Sequence, residues 1–179
     1  VFRSLSYRDR PDGLIAVAKQ YHTNLAVLEK ENALYVVAEA IEKPGNLGTI
    51  LRTADGCGAD GVIICDRCTD IFNPNVVRAS VGTLFTQPVV ETTTDACLEW
   101  LQKRGVAIVA ATPHADLLYT DADLSGPIAI AVGTEQYGLS EKWMKQLQVK
   151  IPMLGVADSL NVAMATTLLL YEALRQRSS

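Results

Sequence analysis

Three glycine-bearing stretches bring polar side chains to places where the chain changes direction. Lys43-Pro44-Gly45-Asn46-Leu47-Gly48 follows an apolar run and precedes a helical pattern that carries Arg52. Gly133-Thr134-Glu135-Gln136-Tyr137-Gly138-Leu139 follows a second apolar run. Leu154-Gly155-Val156-Ala157-Asp158-Ser159-Leu160-Asn161 leads into the C-terminal helical pattern. Glycine lets a backbone approach a ligand closely or adopt positive φ. Asn, Glu, Ser and Arg add donors, acceptors and charge, so each stretch could form part of a binding or catalytic site. Taken singly, each residue has an ordinary reading. Asn46, Ser159 and Asp158 read as helix N-caps, Gly133 and Gly138 as turn glycines, Glu135 as a solvated carboxylate and Arg52 as a surface arginine. None of the stretches is a G-x-G-x-x-G fingerprint in its expected context or a Walker A loop, so dinucleotide and nucleoside-triphosphate readings lack their signatures. Cys65-Asp66-Arg67-Cys68 has C-x-x-C spacing, but a structural zinc site needs a second ligand pair and none follows. The four cysteines, Cys57, Cys65, Cys68 and Cys97, are expected to be reduced cytosolic thiols with no metal.

The elements that must position these stretches follow from the pattern. At 179 residues the chain is one ordinary domain, or a domain with a short extension, and can bury a full core. A hydrophobic fraction of 49% and a mean hydropathy of +0.15 are those of a globular chain. Apolar runs are short and interrupted, so no membrane span is expected, and the N-terminus lacks the order of a signal peptide. A net charge of −4 argues against a surface built wholly for nucleic acid but leaves room for a local basic site. The chain begins with Val1, which fits a processed product or a fragment with sequence missing upstream.

Strands are expected at 33–41, 61–66, 88–91, 106–112, 127–133 and 149–153, from apolar and β-branched runs. Helices are expected at 49–58, 73–85, 93–105, 140–147 and 159–177, from apolar spacing and capping residues. Strands apolar throughout and alternating with helices imply an α/β fold, with a mostly parallel sheet covered by helices on both faces. Residues 1–30 differ in character: an Arg-rich polar arm, then a stretch with one strand or helix, read as a linker to the domain at 31–179. In such sheets ligands sit beyond the carboxyl ends of the strands, where the three stretches fall.

In order, spacing and strand-loop-helix context, "PGNLGTILRTADGCGADGVII", "IAVGTEQYGLS" and "IPMLGVADSLNVAMATTLLLYEAL" resemble the three motifs of the SpoU (TrmH-like) RNA ribose 2′-O-methyltransferases of the SPOUT superfamily. The likeness covers roughly 35–177. It implies a trefoil-knotted α/β fold at the C-terminal part, S-adenosylmethionine as methyl donor, a homodimer and an RNA substrate. The family uses both ribosomal RNA and tRNA, of which ribosomal RNA is expected here, and the reduced thiols lead to the expectation of a cytoplasmic location. The knot comes from the resemblance alone, since chains do not ordinarily thread loops. Family members commonly carry a small RNA-binding domain before the catalytic one, and here only the Arg-rich arm stands in that place.

The resemblance suggests Asn46, Arg52, Glu135, Ser159 and Asn161 as the polar active-site set. A ribose hydroxyl is a weak acid, so an enzyme must orient it and favour loss of its proton. A guanidinium is not expected to deprotonate. Arg52 is therefore read as a phosphate clamp and oxyanion stabiliser reaching back over the Asn46 loop, with the proton passing to phosphate or water. Asn46 fixes the loop and the arginine, Ser159 and Asn161 bond the arginine or the ribose, and Glu135 orients substrate or neighbouring residues. The cofactor pocket implied by the resemblance comprises Ala111, Thr112 and Pro113, then Val132, Gly133, Glu135 and Gly138, then Ile151, Pro152, Met153, Ser159, Leu160 and Ala163. Lys43 and Arg78 are RNA-contact candidates. Two other readings stay open: a non-catalytic RNA-binding protein on the same fold, and a Rossmann-type nicotinamide oxidoreductase.

Overall fold

Each central strand is apolar along its whole length because both of its sides are covered. In β1 (Leu34–Glu39) the side chains of Leu34, Val36 and Ala38 enter one apolar cluster, and those of Tyr35 and Val37 enter another on the opposite face. The computed structural model describes residues 16–178. The other strands are β2 (Gly61–Cys65), β3 (Val89–Thr92), β4 (Ala107–Ala111), β5 (Ile128–Val132) and β6 (Leu147–Val149). They form one sheet of order β3-β2-β1-β5-β4-β6, and every neighbouring pair is parallel.

One face is covered by α1 (Pro44–Gly56), α2 (Pro74–Ser80) and α4 (Val162–Arg177). The other is covered by α3 (Thr94–Lys103), through Cys97 and Leu101, and by a 3₁₀ turn at Glu141–Trp143 that buries Trp143. The α/β reading with helices on both faces holds. Helix α1 is amphipathic in the expected way: Leu47, Ile50, Leu51 and Ala54 are buried, the i, i+3, i+4, i+7 stripe of a core-facing helix.

Several boundaries differ from the sequence reading. Helix α1 starts at Pro44 rather than 49, because proline at the first helical position has φ preset and no N–H to lose. Asn46 therefore lies inside the first turn, and the N-cap position is held by Lys43, whose side chain makes no cap bond. Helix α2 stops at Ser80, where Val81 takes a left-handed φ of 54° before a 3₁₀ turn at Thr83–Phe85. The expected helix over 140–147 is only the 3₁₀ turn at Glu141–Trp143, and the last strand lies at Leu147–Val149 rather than 149–153. Helix α4 starts at Val162 with Asn161 as its cap, so neither Ser159 nor Asp158 caps it.

Between residues 16 and 30 the chain makes one 3₁₀ turn, Leu25–Leu28, and one parallel bridge from Thr23 to Val90 of β3. The Arg-rich arm up to residue 15 lies outside the described residues.

Strand order fixes where a ligand could sit. After β1 the chain leaves along α1 on one face toward β2. After β5 it leaves past Trp143 on the other face toward β6. Connections that diverge from two neighbouring parallel strands open a crevice beyond their carboxyl ends. The crevice between β1 and β5 receives the first and second glycine-bearing stretches, and the third ends beside it at α4.

Candidate active site

The loop after β5 is held at both ends. Thr134 and Gly138 form a small antiparallel bridge, with N–H to C=O distances of 3.1 and 3.0 Å, and the Tyr137 N–H donates to Thr134 Oγ1 at 2.9 Å. A Cβ at Gly133 would lie 2.2 Å from the carbonyl carbon and oxygen of Gly138. The close approach that glycine permits there is made by the chain itself. Gly138 has the positive φ, 70°, expected of a turn glycine.

Beyond this turn, the Ser140 N–H donates to Glu39 Oε2 at 2.7 Å and the Ser140 hydroxyl to Oε1 at 2.8 Å. The hydroxyl of Thr94, the first residue of α3, lies 2.7 Å from the same Oε1. Glu39 is 4% exposed, and a buried carboxylate needs such donors. It ties the carboxyl end of β1 to the loop after β5 and to the start of α3. The sequence reading assigned it no role, although one acidic residue in an otherwise apolar strand was a visible signal.

Glu135 is the hub of the crevice. Its Oε1 accepts from Asn46 Nδ2 at 2.8 Å and from Asn161 Nδ2 at 2.6 Å, and its Oε2 pairs with the Lys43 ammonium. Asn161 Nδ2 also lies 3.1 Å from Asn46 Oδ1, and its own Oδ1 caps α4 by accepting from the Ala163 N–H at 3.0 Å. The Lys43 hydrogen bond, helped by Asn46 and the Val162 N–H, holds the Glu135 carboxyl below its ordinary range against the opposing effect of desolvation. Glu135 is thus an anion at neutral pH, not a general acid. The network borders a cleft of about 310 Å³ lined by Ile41, Asn46, Thr134, Glu135 and Val162. Lys43 is therefore committed to Glu135, a pairing that the sequence reading missed.

The expected polar set is divided. Asn46, Glu135 and Asn161 share one network. Ser159 lies in an exposed loop, where its hydroxyl donates to Asp158 at 3.0 Å. Arg52 sits more than two turns into α1 and on the face of Gly45 rather than of Asn46. It lines a neighbouring groove of about 510 Å³ with Gly45, Arg78 and Ala79.

The expected cofactor residues fall at the ends of three adjacent strands. Ala111 closes β4 and Val132 closes β5. Thr112 and Pro113 run beside β6, the Thr112 N–H donating to the Val149 carbonyl at 3.0 Å, and Ile151, Pro152 and Met153 follow β6 directly. Ile151 packs against the apolar cluster that contains Ala163, while Leu160 is 38% exposed. From Ile151 to Leu160 the backbone makes no hydrogen bond to other backbone groups among the described residues. That stretch keeps unspent N–H and C=O groups beside apolar walls, a donor set that fits an adenosine-bearing ligand.

All four cysteines are free, and Cys65 is buried while Cys68 is exposed. Among the described residues no cluster of His, Cys, Asp and Glu could hold a metal ion, and no helix is long and apolar enough to cross a membrane.

Comparison with known proteins fits this geometry. The SpoU rRNA Methylase family model matches residues 33–171, and the chain belongs to that family. It is 36% identical to the 23S rRNA (uridine(2479)-2′-O)-methyltransferase of Streptomyces viridochromogenes, over 96% of this chain and 63% of that protein. It is 31% identical to the 23S rRNA (guanosine(2553)-2′-O)-methyltransferase RlmP of Bacillus subtilis, over 95% of this chain and 68% of that one. The crystal structure of an AdoMet-bound rRNA methyltransferase from Sinorhizobium meliloti superposes with a TM-score of 0.83 at 37% identity, covering 88% of this chain and 62% of that one. The chain thus spans about 63% of the length of the Streptomyces relative.

Proposed function

We propose that this protein is an S-adenosylmethionine-dependent methyltransferase that acts on a ribose 2′-hydroxyl of RNA, ribosomal RNA rather than tRNA. The observation that carries the reading is the joining of Asn46, Glu135 and Asn161, one from each separate stretch, by hydrogen bonds of 2.6 to 3.1 Å at the crevice between β1 and β5. Membership of the SpoU family and relatives named as 23S rRNA 2′-O-methyltransferases support the substrate class. A nicotinamide oxidoreductase finds no support in either, and the intact polar network argues against a chain that only binds RNA.

Unpaired backbone groups at 151–160, with Ile151 and Ala163 as apolar walls and the ends of β4 and β5 alongside, would hold the adenosine and methionine parts of the donor. The donor supplies an electrophilic methyl group when bound. The chain's own part is to orient the ribose and stabilise charge. Glu135, fixed as an anion by Lys43, orients Asn46, which lines the cleft, and Asn161 holds Glu135 and Asn46 in place from the start of α4. Arg52 clamps a phosphate next to the ribose and stabilises negative charge developing on the 2′-oxygen. A permanently charged guanidinium cannot take the proton, which leaves to phosphate or water. Ser159 completes the set from its exposed loop.

Four further parts of the proposal concern the knot, the assembly, the N-terminal residues and the location. The C-terminal part forms a trefoil knot. In support, the loop after β4 is fastened to α4, where Gln176 accepts from the Leu124 N–H at 2.8 Å and donates to the Ala122 carbonyl at 3.1 Å. The protein is a homodimer through α4. In support, Met164, Leu168 and Tyr171 form an exposed apolar stripe along α4, and exposed Leu160 lies just before its start. Residues 1–30 act as a linker to the catalytic domain at 31–179, and the protein works in the cytoplasm, consistent with four free thiols.

Thermal shift with S-adenosylhomocysteine and with NAD tests the cofactor class. Stabilisation by S-adenosylhomocysteine alone is expected; stabilisation by NAD alone would refute the reading.

A further inference from the structure

We propose that the groove between α1 and α2 binds a phosphodiester of the RNA strand, with Arg52 and Arg78 as its two guanidinium contacts. Gly45 is the low point over which the strand passes into the Glu135 cleft. The proposal rests on the RNA reading above and assigns it a second contact, Arg78, and a path.

The first observation is how the groove is built. A Cβ at Gly48 would lie 2.4 Å from Ala79 Cβ and 2.7 Å from the Val76 carbonyl oxygen. Only a residue without a side chain lets α1 and α2 come this close. Their contact sets Arg78 of α2 beside Arg52 of α1, and both line the same groove of about 510 Å³.

The second is charge. Lys30, Lys43, Arg67, Lys103, Arg104 and Lys142 each pair with a carboxylate. Arg52 and Arg78 make no hydrogen bond or ion pair among the described residues, and no carboxylate lines their groove. In a chain of net charge −4, two unpaired guanidiniums sharing one groove repel each other until an anion lies between them. A phosphate diester matches the planar donor fork of each.

The third is Gly45. A Cβ built there meets nothing within 4 Å, and Gly45 sits in the first turn of α1 with no positive φ. Neither packing inside the protein nor backbone conformation requires a glycine, and alanine would suit a helix better. The first turn of α1 stands between the two cavities: Pro44 and Gly45 face the arginine groove, while Lys43 and Asn46 face the Glu135 cleft. A missing side chain at that point leaves an unobstructed crossing for a polymer that occupies both sides. A small anion held in the arginine groove alone would have no use for it.

The test uses full-length protein and a short fluorescein-labelled oligouridylate, with binding read by anisotropy across a salt series. Wild type should bind with a salt-dependent slope, and Arg78→Ala should flatten that slope by about 0.7, the value for one single-stranded phosphate contact. Arg78→Lys should restore the slope. Gly45→Ala should keep or raise the melting temperature while weakening oligouridylate binding by about tenfold, the scale of one charge-assisted hydrogen bond. All three variants should bind S-adenosylhomocysteine as wild type does in calorimetry.

An Arg78→Ala slope equal to that of wild type would overturn the proposal. So would undiminished oligouridylate binding by Gly45→Ala, or displacement of the probe by inorganic phosphate as effective as by unlabelled oligouridylate at equal phosphate concentration. Each of those results leaves the methyltransferase reading standing, because that reading fails instead on absent S-adenosylhomocysteine binding by wild type.

Discussion

Asn161 Nδ2 donates a 2.6 Å hydrogen bond to Glu135 Oε1 while Asn161 Oδ1 caps α4. One amide therefore fixes a helix start with its oxygen and the carboxylate at the hub of the crevice with its nitrogen. Substitutions that keep one atom but not the other separate the two roles.

Asn161→Ala removes the cap and the donor together. It should cost about 1 kcal/mol of stability in urea unfolding, the usual value of an N-cap. Asn161→Asp keeps a good cap but sets a second carboxylate against Glu135. Its deficit relative to wild type should be largest at neutral pH and shrink as the pH falls into the carboxylate range, where one of the two acids binds a proton and again donates to the other. A deficit independent of pH would show that the two side chains do not meet.

Glu135 has its own pH signature. Its carboxyl lies below the ordinary range chiefly through Lys43. A group whose pKa is lowered on folding adds stability above its unfolded pKa and loses that contribution as the pH drops through the folded value. The stability of wild type minus that of Glu135→Gln should therefore be largest near neutral pH and narrow through the acid range. Lys43→Met should reduce the same pH-dependent difference. Parallel unfolding curves at all pH values would remove the ion pair from the account.

Gly48→Ala and Gly45→Ala differ by three residues on one helix and should behave in opposite ways. At Gly48 the added methyl meets Ala79 Cβ at 2.4 Å and backbone atoms of α2 below 3.0 Å, so overpacking should cost ~1–3 kcal/mol or more. At Gly45 it meets nothing within 4 Å. Equal melting temperatures for wild type and Gly48→Ala would contradict the described contact of α1 with α2.

Dimerisation is checked by sedimentation. Leu160 and the stripe Met164, Leu168 and Tyr171 should be covered in solution, so wild type should sediment as a dimer at about micromolar concentration. Met164→Glu should shift it toward monomer. A wild-type monomer at tens of micromolar would refute the assembly.

Much of the fold was legible because buried parallel strands need both sides apolar, a pattern visible in runs such as 33–41 and 127–133. Boundaries were less legible. Pro44-Gly45 looked like a turn, but proline at the first helical position starts a helix as readily as it breaks one. Ser159 looked like a cap, but Asn161 also has a capping side chain, and only the packing of Val162 and Ala163 decides between them. At the site, Asn46, Glu135 and Asn161 were named together through family resemblance. Their mutual hydrogen bonds span 26 to 115 residues, and no local pattern encodes such pairs. For the same reason the sequence did not reveal that Lys43 pairs with Glu135, or that Arg52 faces Arg78 rather than Asn46. Helix phase placed Arg52 on the Gly45 side once the true start of α1 was known.

The most direct test of the central claim is single-turnover methyl transfer from labelled S-adenosylmethionine to ribosomal RNA, by full-length wild type and Arg52→Ala, with calorimetry of S-adenosylhomocysteine binding to both. Wild type should place label on a ribose 2′-oxygen. Arg52→Ala should react ~10²–10³ more slowly, the usual loss of one charge-stabilising donor, and the two proteins should bind the cofactor with equal affinity. Label on a base, or wild-type turnover by Arg52→Ala, would contradict that claim.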